Sequence, residues 1–226
     1  MAGLSFARLA AGAMEIDLCC PGSDASGPLA DAVSEAVSRG GGVVGWIWGI
    51  EPAGHERAIG PALPSQEVTV DTLAMPAGLP GVFTAALNIG SDQDARRKLH
   101  RELPGPNPNT VDFLEHIVVM TPVLEDAIAT HEAIGVPCKR IREVGNGMRQ
   151  AFFKLEQTVI EVVGPSRERP GCWGLAFMCG DIHAAVATAR ENGLQATEPK
   201  KAIQGGQIAR IVDPLDGVAV AFMQAP

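Results

Sequence analysis

The sequence predicts an α+β fold assembled from βαβββ modules, a curved, cup-shaped mixed sheet with its helices on the outside. Three observations carry this. Residues 124–135 read LEDAIATHEAIG, and residues 182–193, 58 positions on, read IHAAVATARENG, with alanines, a threonine and the closing glycine in register. A fainter third copy, LADAVSEAVSRG, stands at 29–40. Each copy has the apolar spacing of an amphipathic helix and ends on the glycine that favours a helix stop. Each also lies between apolar runs that read as strands. A period this long exceeds most solenoid repeats, so each unit is a small module that buries its apolar face by pairing with another copy.

The elements follow in order. In the first copy, EIDLCCP at 15–21 reads as a strand stopped by proline, followed by the helix, three glycines at 40–42 and a strand at 43–50. Prolines at 52, 61, 64, 76 and 80 mark a loop-rich insertion between short strands near 68–73 and 82–89. This degenerate module spans 1–92, and a linker at 93–112 contains the stiff PGPNPN segment.

The second module spans 113–166. FLEHIVVM is a β-branched strand ended by Thr121-Pro122, and after the helix come extended runs at 136–144, 148–155 and 158–163. Asn146-Gly147 between two of them signals a tight hairpin. The third module, 171–226, repeats the order with a strand at 173–179, the helix, and strands at 207–212 and 218–223 split by DPLDG.

Composition narrows the function. With 226 residues, 46% hydrophobic and 19% charged, the chain is long enough to bury roughly 70% of its unfolded-state surface. A formal charge of −8 argues against nucleic acid, which is held by a basic footprint. The basic run 96–101, RRKLHR, reads as a solvated face or as an anchor for an anionic group. Cysteines at 19, 20, 138, 172 and 179 are odd in number and lack a framework spacing, which fits a reducing cytoplasm. The opening MAGLSFARLAAGAM is interrupted by Arg8 and too short for a signal peptide, and no apolar run reaches a membrane span.

Two residues stand out. His116 lies within an apolar strand, where it is either a hydrogen-bonded core histidine or a ligand or base. Glu161 is flanked by valines and an isoleucine. Strand alternation puts Val159, Glu161 and Val163 on one face and Ile160 and Val162 on the other. Both faces are apolar, which implies helices on one side and a pocket holding Glu161 on the other. Burial there raises the pKa of a carboxylate and suits it to proton abstraction beside a carbonyl. Gln150 and Phe152 alternate along the strand from Met148 and reach the same pocket, where Phe152 reads either as lining or as core packing, with Trp173 on the third module's first strand. Trp46 and Trp48 share a strand face in the first copy. His131 and His183 read as solvated helix residues, and Gly205-Gly206 as a turn rather than a phosphate loop.

Residues 113–226 resemble the vicinal oxygen chelate superfamily, which includes glyoxalase I, extradiol dioxygenases, bleomycin resistance proteins and methylmalonyl-CoA epimerase. The last is nearest in motif. The resemblance rests on LEHIVVMTP at 114–122, GMRQAFFKLEQTVIEVVGP at 147–165 and DPLDGVAVAFMQ at 213–224, in this order and spacing. It implies a divalent metal (Zn, Mn, Co, Ni or Fe) bound by one residue from the first and one from the last strand of each module. His116 and Glu161 fall on two such positions. The other two are Gly174 and Ala221, neither of which can bind a metal. Matching the first copy through its proline stop places Glu15 at the position of His116, which makes Glu15, His116 and Glu161 a candidate triad.

The resulting expectation is an isomerase, epimerase or lyase acting on a small carbonyl or hydroxy acid through an enolate, with or without a metal. The alternatives are a metal-free binding protein of the same fold or an oxygenase like the extradiol dioxygenases. The odd module count suggests a homodimer through an isologous contact.

Overall fold

A computed structural model describes residues 4–11, 14–21, 28–38, 45–50, 62–63, 70–71, 83–88, 109–133, 136–155, 157–167, 170–203, 205–215 and 217–226. The N-terminal part contains β1 (Leu4–Ala11), β2 (Met14–Pro21), α1 (Pro28–Ser38), β3 (Gly45–Ile50), β4 (Ala62–Leu63), β5 (Val70–Asp71) and β6 (Phe83–Asn88). The expected strands near 15, 43, 68 and 82 and the helix at 29 are all found. Strands β1 and β4 are additions. Helix α1 buries Ala30, Val33 and Ala36, the stripe its apolar spacing predicts.

The pairing of this part was not legible in the sequence. β2 forms an antiparallel two-stranded sheet with β1, while β3 is the parallel partner of β6 in a separate sheet ordered β3-β6-β5-β4. β3, rather than β2, therefore stands to β6 as a module's first strand stands to its last. The tryptophans at 46 and 48 lie on β3, and their side chains are outside the described residues, as are the basic run 96–101 and most of the linker.

The second module comprises β7 (Val111–Met120), α2 (Leu124–Ala133), β8 (Cys138–Gly145), β9 (Met148–Leu155) and β10 (Thr158–Gly164). The third comprises β11 (Gly171–Cys179), α3 (Ile182–Glu191), β12 (Lys200–Lys201), β13 (Gln207–Arg210) and β14 (Ala219–Gln224). Together they form one mixed eight-stranded sheet, ordered β12-β13-β14-β11-β7-β10-β9-β8. The first strands of the two modules pair at its centre.

Local chemistry explains the boundaries. Asn146 and Gly147 both have positive φ, 53° and 74°, as a two-residue type I′ hairpin requires. Asp181 caps α3 by accepting from the backbone N–H of His183 and Ala184 at 2.9 and 3.1 Å. Gly193, at φ 83°, ends it.

Two apolar clusters lie between sheet and helices. Leu114, Ile117, Val119, Ala151, Phe153, Ile160 and Val162 pack with Leu124 and Ala127 of α2. Cys179, Ala209, Ile211 and Phe222 pack with Ile182, Ala185, Val186 and Ala189 of α3. Both helices thus cover one face, and the alternate residues of each strand point to the other. Among the described residues, no helix is long and apolar enough to cross a membrane.

Candidate functional site

The two modules superimpose in strand register. In the second, His116 of β7 pairs with Val159 of β10, and Glu161 lies two positions on, opposite Val118. In the third, Gly174 of β11 pairs with Ala219 of β14, and Ala221 lies two positions on, opposite Ala176. Where the modules meet, His116 pairs with Ala176 and Val118 with Gly174. Gly174 and Ala221 are therefore the structural counterparts of His116 and Glu161. All four lie on the face turned away from the helices.

His116 is 9% exposed and its neighbourhood is irregular. β7 and β11 pair Ala176 with His116 but the next residue, Phe177, with Leu114, so Glu115 is an extra residue in β7. Such a bulge breaks the alternation that sends consecutive side chains to opposite faces. The Glu115 carboxylate consequently meets Nδ1 of His116. The carbonyl of Leu114, beside the bulge, accepts a hydrogen bond from the buried Thr158 hydroxyl at 2.7 Å. Burial, and then the charge of Lys154, lowers the pKa of His116, so the imidazole is neutral near pH 7. With a carboxylate at Nδ1, the proton sits on that nitrogen and Nε2 offers its lone pair to the open face.

Glu161 lies on the neighbouring strand, two positions beyond the partner of His116. Strand spacing and rise place the two Cα atoms about 8 Å apart. Burial raises the pKa of the Glu161 carboxyl, partly opposed by the positive charge of Arg142. Gln150 of β9 donates a hydrogen bond from Nε2 to Glu161 Oε1 at 2.5 Å. Phe152, directly opposite Glu161 in the β9–β10 pair, walls the carboxylate on that side. Of the residues expected at the site, His116, Glu161, Gln150 and Phe152 are thus brought to one face. Trp173 is the unpaired residue of a second bulge, in β11, and is 47% exposed.

Glu15 is not on this sheet. Its backbone belongs to β2, opposite Ala10 of β1, and its side chain is outside the described residues. Among the described residues, the donors on this face do not fit a divalent ion. Nε2 of His116 and the Glu161 carboxylate are two, where protein sites ordinarily supply three or more. Among the described residues, no group of three or more His, Cys, Asp and Glu side chains is arranged to hold a metal. A β-carbon on Gly174 would meet the carbonyl oxygen of Ala219 at 3.2 Å, a tight fit that favours glycine there.

One expectation is corrected. His131, read as solvated, is fully buried; its Nδ1 donates to the carbonyl of Ala127 at 2.8 Å and its ring stacks on Phe153 with centroids 4.1 Å apart. The helix turns it inward because it lies four residues after Ala127, on the covered stripe. His183 is exposed, as expected. The thiols of Cys172 and Cys179 are pushed up to about 12 and about 11 by burial, which makes them inert near neutral pH. Sequence reasoning missed Glu115. The adjacent pair Glu115-His116 was visible, but strict alternation assigns neighbours to opposite faces.

The architecture is a fold of the vicinal oxygen chelate type: two βαβββ modules whose first strands pair at the centre of one open, mixed eight-stranded sheet. Among solved structures, a triple mutant of 4-hydroxymandelate synthase from Streptomyces coelicolor is similar over 99% of this chain and 81% of its own, with a TM-score of 0.63 and 14% identity. Methylmalonyl-CoA epimerase from Mycobacterium tuberculosis matches 56% of this chain and 95% of its own, at 19% identity and a TM-score of 0.45. A second methylmalonyl-CoA epimerase matches 53% and 99%, at 24% identity and a TM-score of 0.43. No family model matches the sequence. No curated protein matches it either.

Proposed function

We propose that the open face of the eight-stranded sheet binds a small carbonyl or hydroxy-acid substrate and transfers a proton at the carbon beside the carbonyl, an isomerase, epimerase or lyase chemistry of the glyoxalase-like class. The observation that supports this is Glu161: a half-buried carboxyl with a raised pKa, held by Gln150 and walled by Phe152. Such a group is closer in basicity to its operating pH than an ordinary glutamate. Its carboxylate takes the C–H proton, and the bond's electron pair moves to the carbonyl oxygen as an enolate. Return of the proton gives an isomer; departure of a leaving group on the next carbon gives a lyase. His116, neutral and open at Nε2, takes a hydroxyl proton where the substrate is a hydroxy acid.

Incubating the protein in deuterium oxide with a panel of α-acidic carbonyl and hydroxy acids, and following deuterium incorporation by NMR, tests the reading. Glu161→Gln is expected to abolish exchange while leaving binding intact. Exchange that persists in Glu161→Gln overturns the role of Glu161.

A second reading, sequestration of a ligand without chemistry, is favoured by the small residues Gly174, Ala176, Ala219 and Ala221 in the third module's half of the face. It expects no exchange in the wild type and a Glu161→Gln variant of unchanged affinity. A homodimer belongs to both readings, and sedimentation equilibrium checks it.

A further inference from the structure

The charges on the open face are the reverse of those on the molecule. Strand register assigns each residue to a face. Arg140 and Arg142 of β8 pair with Phe152 and Gln150, and so share the face of Glu161. Lys154 pairs with Val159, the partner of His116. On the other side, Arg210 of β13 pairs with Ala221, and Lys200 pairs with Ile208, the partner of Met223. The faces are fixed independently, because Ala209 and Phe222, the residues that alternate with these, are buried under α3.

Five cations therefore border a face whose carboxylates at these strands are Glu161 and Glu115. None of the five forms an ion pair among the described residues, where the arginine pairs are Arg149 with Glu125 and Arg190 with Glu198. Arg210 is the most telling. It stands beside Ala221, where its counterpart in the second module is Phe152 beside Glu161, and the small alanine leaves room for it. Cations without an ion-pair partner among the described residues, of which Lys154 also donates to the carbonyl of Gln157 at 3.1 Å, stand along one face of a chain of formal charge −8 and concentrate an anion there.

We infer that the ligand of this face is an anion, a small acid bearing a carboxylate or phosphate group, gripped by Arg142 and Lys154 on the second module's wall and by Arg210 on the third's. The inference rests on the reading of this face as the substrate site, and it adds the substrate's charge. Guanidinium groups suit both oxyanions through paired N–H donors. Arg210 shares the face of Glu161 across β14, β11 and β7, and a cation on that face favours the enolate that proton removal creates.

The test uses the full chain and unreactive probes, succinate for the carboxylate and inorganic pyrophosphate for the phosphate, titrated by NMR at low ionic strength. At least one probe is expected to perturb the His116 imidazole signals, with an affinity that falls as salt rises. Arg142→Gln and Arg210→Gln are each expected to weaken it about tenfold, the cost of a charge-assisted contact. Arg190→Gln, outside the site and paired to Glu198, should leave it unchanged, and succinamide should not bind. Which probe binds distinguishes a carboxylate from a phosphate ligand. Equal binding of succinamide, no response from either anion, or equal weakening in Arg190→Gln overturns the inference. Because no turnover is measured, anion binding without deuterium exchange would count against the proton-transfer reading and leave this one standing.

Discussion

Gly174 occupies in β11 the place that His116 occupies in β7. Each pairs with the residue two positions before a site position on the parallel strand, Ala221 in one module and Glu161 in the other. At these counterpart positions one half of the face thus keeps an imidazole and a carboxylate, and the other presents only a backbone and a methyl group.

That relationship can be reversed. The double substitution Gly174→His with Ala221→Glu supplies a second imidazole and a second carboxylate at counterpart positions, so a divalent ion gains four donors. Affinity for Co(II), read from its visible absorption, is expected to rise on the order of 100-fold over the wild type. The β-carbon at 174 needs the Ala219 carbonyl to shift by a few tenths of an ångström. Unaltered Co(II) affinity in a folded variant would show that the register does not bring the four positions together.

Glu115 sets the tautomer of His116. In the wild type, nitrogen chemical shifts of the imidazole are expected to show Nδ1 protonated and Nε2 bare. Glu115→Gln is expected to mix the two tautomers and to lower deuterium exchange by roughly 10- to 100-fold, while Glu115→Asp restores part of it. A tautomer ratio that does not respond to Glu115→Gln would remove this role.

The buried His131 on α2 and the half-buried Glu161 on β10 pull stability in opposite directions with pH. The Glu161 pKa is raised in the folded state, so its contribution is lost as pH climbs through that value. Glu161→Gln should therefore raise the melting temperature at pH 7.5, with the gain shrinking as pH falls toward the ordinary glutamate range. The His131 pKa is lowered in the folded state, chiefly by burial, so its contribution is lost as pH falls below about 6.5. Melting curves of His131→Gln should be flatter than wild type between pH 7 and 5, on top of a uniform loss from the broken stack on Phe153.

Cys172 and Cys179 are expected to resist iodoacetamide at pH 8 in the folded protein and to react within minutes in denaturant. Peptide mass spectrometry resolves each site. Rapid modification of Cys172 in the native state would contradict its burial.

Much of the second and third modules was legible because their signals are local. The Asn146-Gly147 dipeptide fixes its own turn, Gly193 stops its own helix, and the alternation around Ile160 and Val162 correctly assigned Glu161 to the face opposite α2. His131 was misjudged because the helix stripe that covers it is set by which side of α2 meets Phe153. The first copy showed the same limit on a larger scale: its strands were found, yet the sequence does not say that β6 pairs with β3 while β2 pairs with β1.

The sequence alone determined the order of elements in the second module and the repeat of its helix 58 residues on, because propensity, periodicity and side-chain identity act within a few residues of the chain. Only the tertiary structure decided that Glu115 faces His116, and that Arg142, Lys154 and Arg210 share the face of Glu161. Those relationships arise from a bulge and from strand register between residues far apart in the chain, where a shift of one residue moves every side chain to the other face.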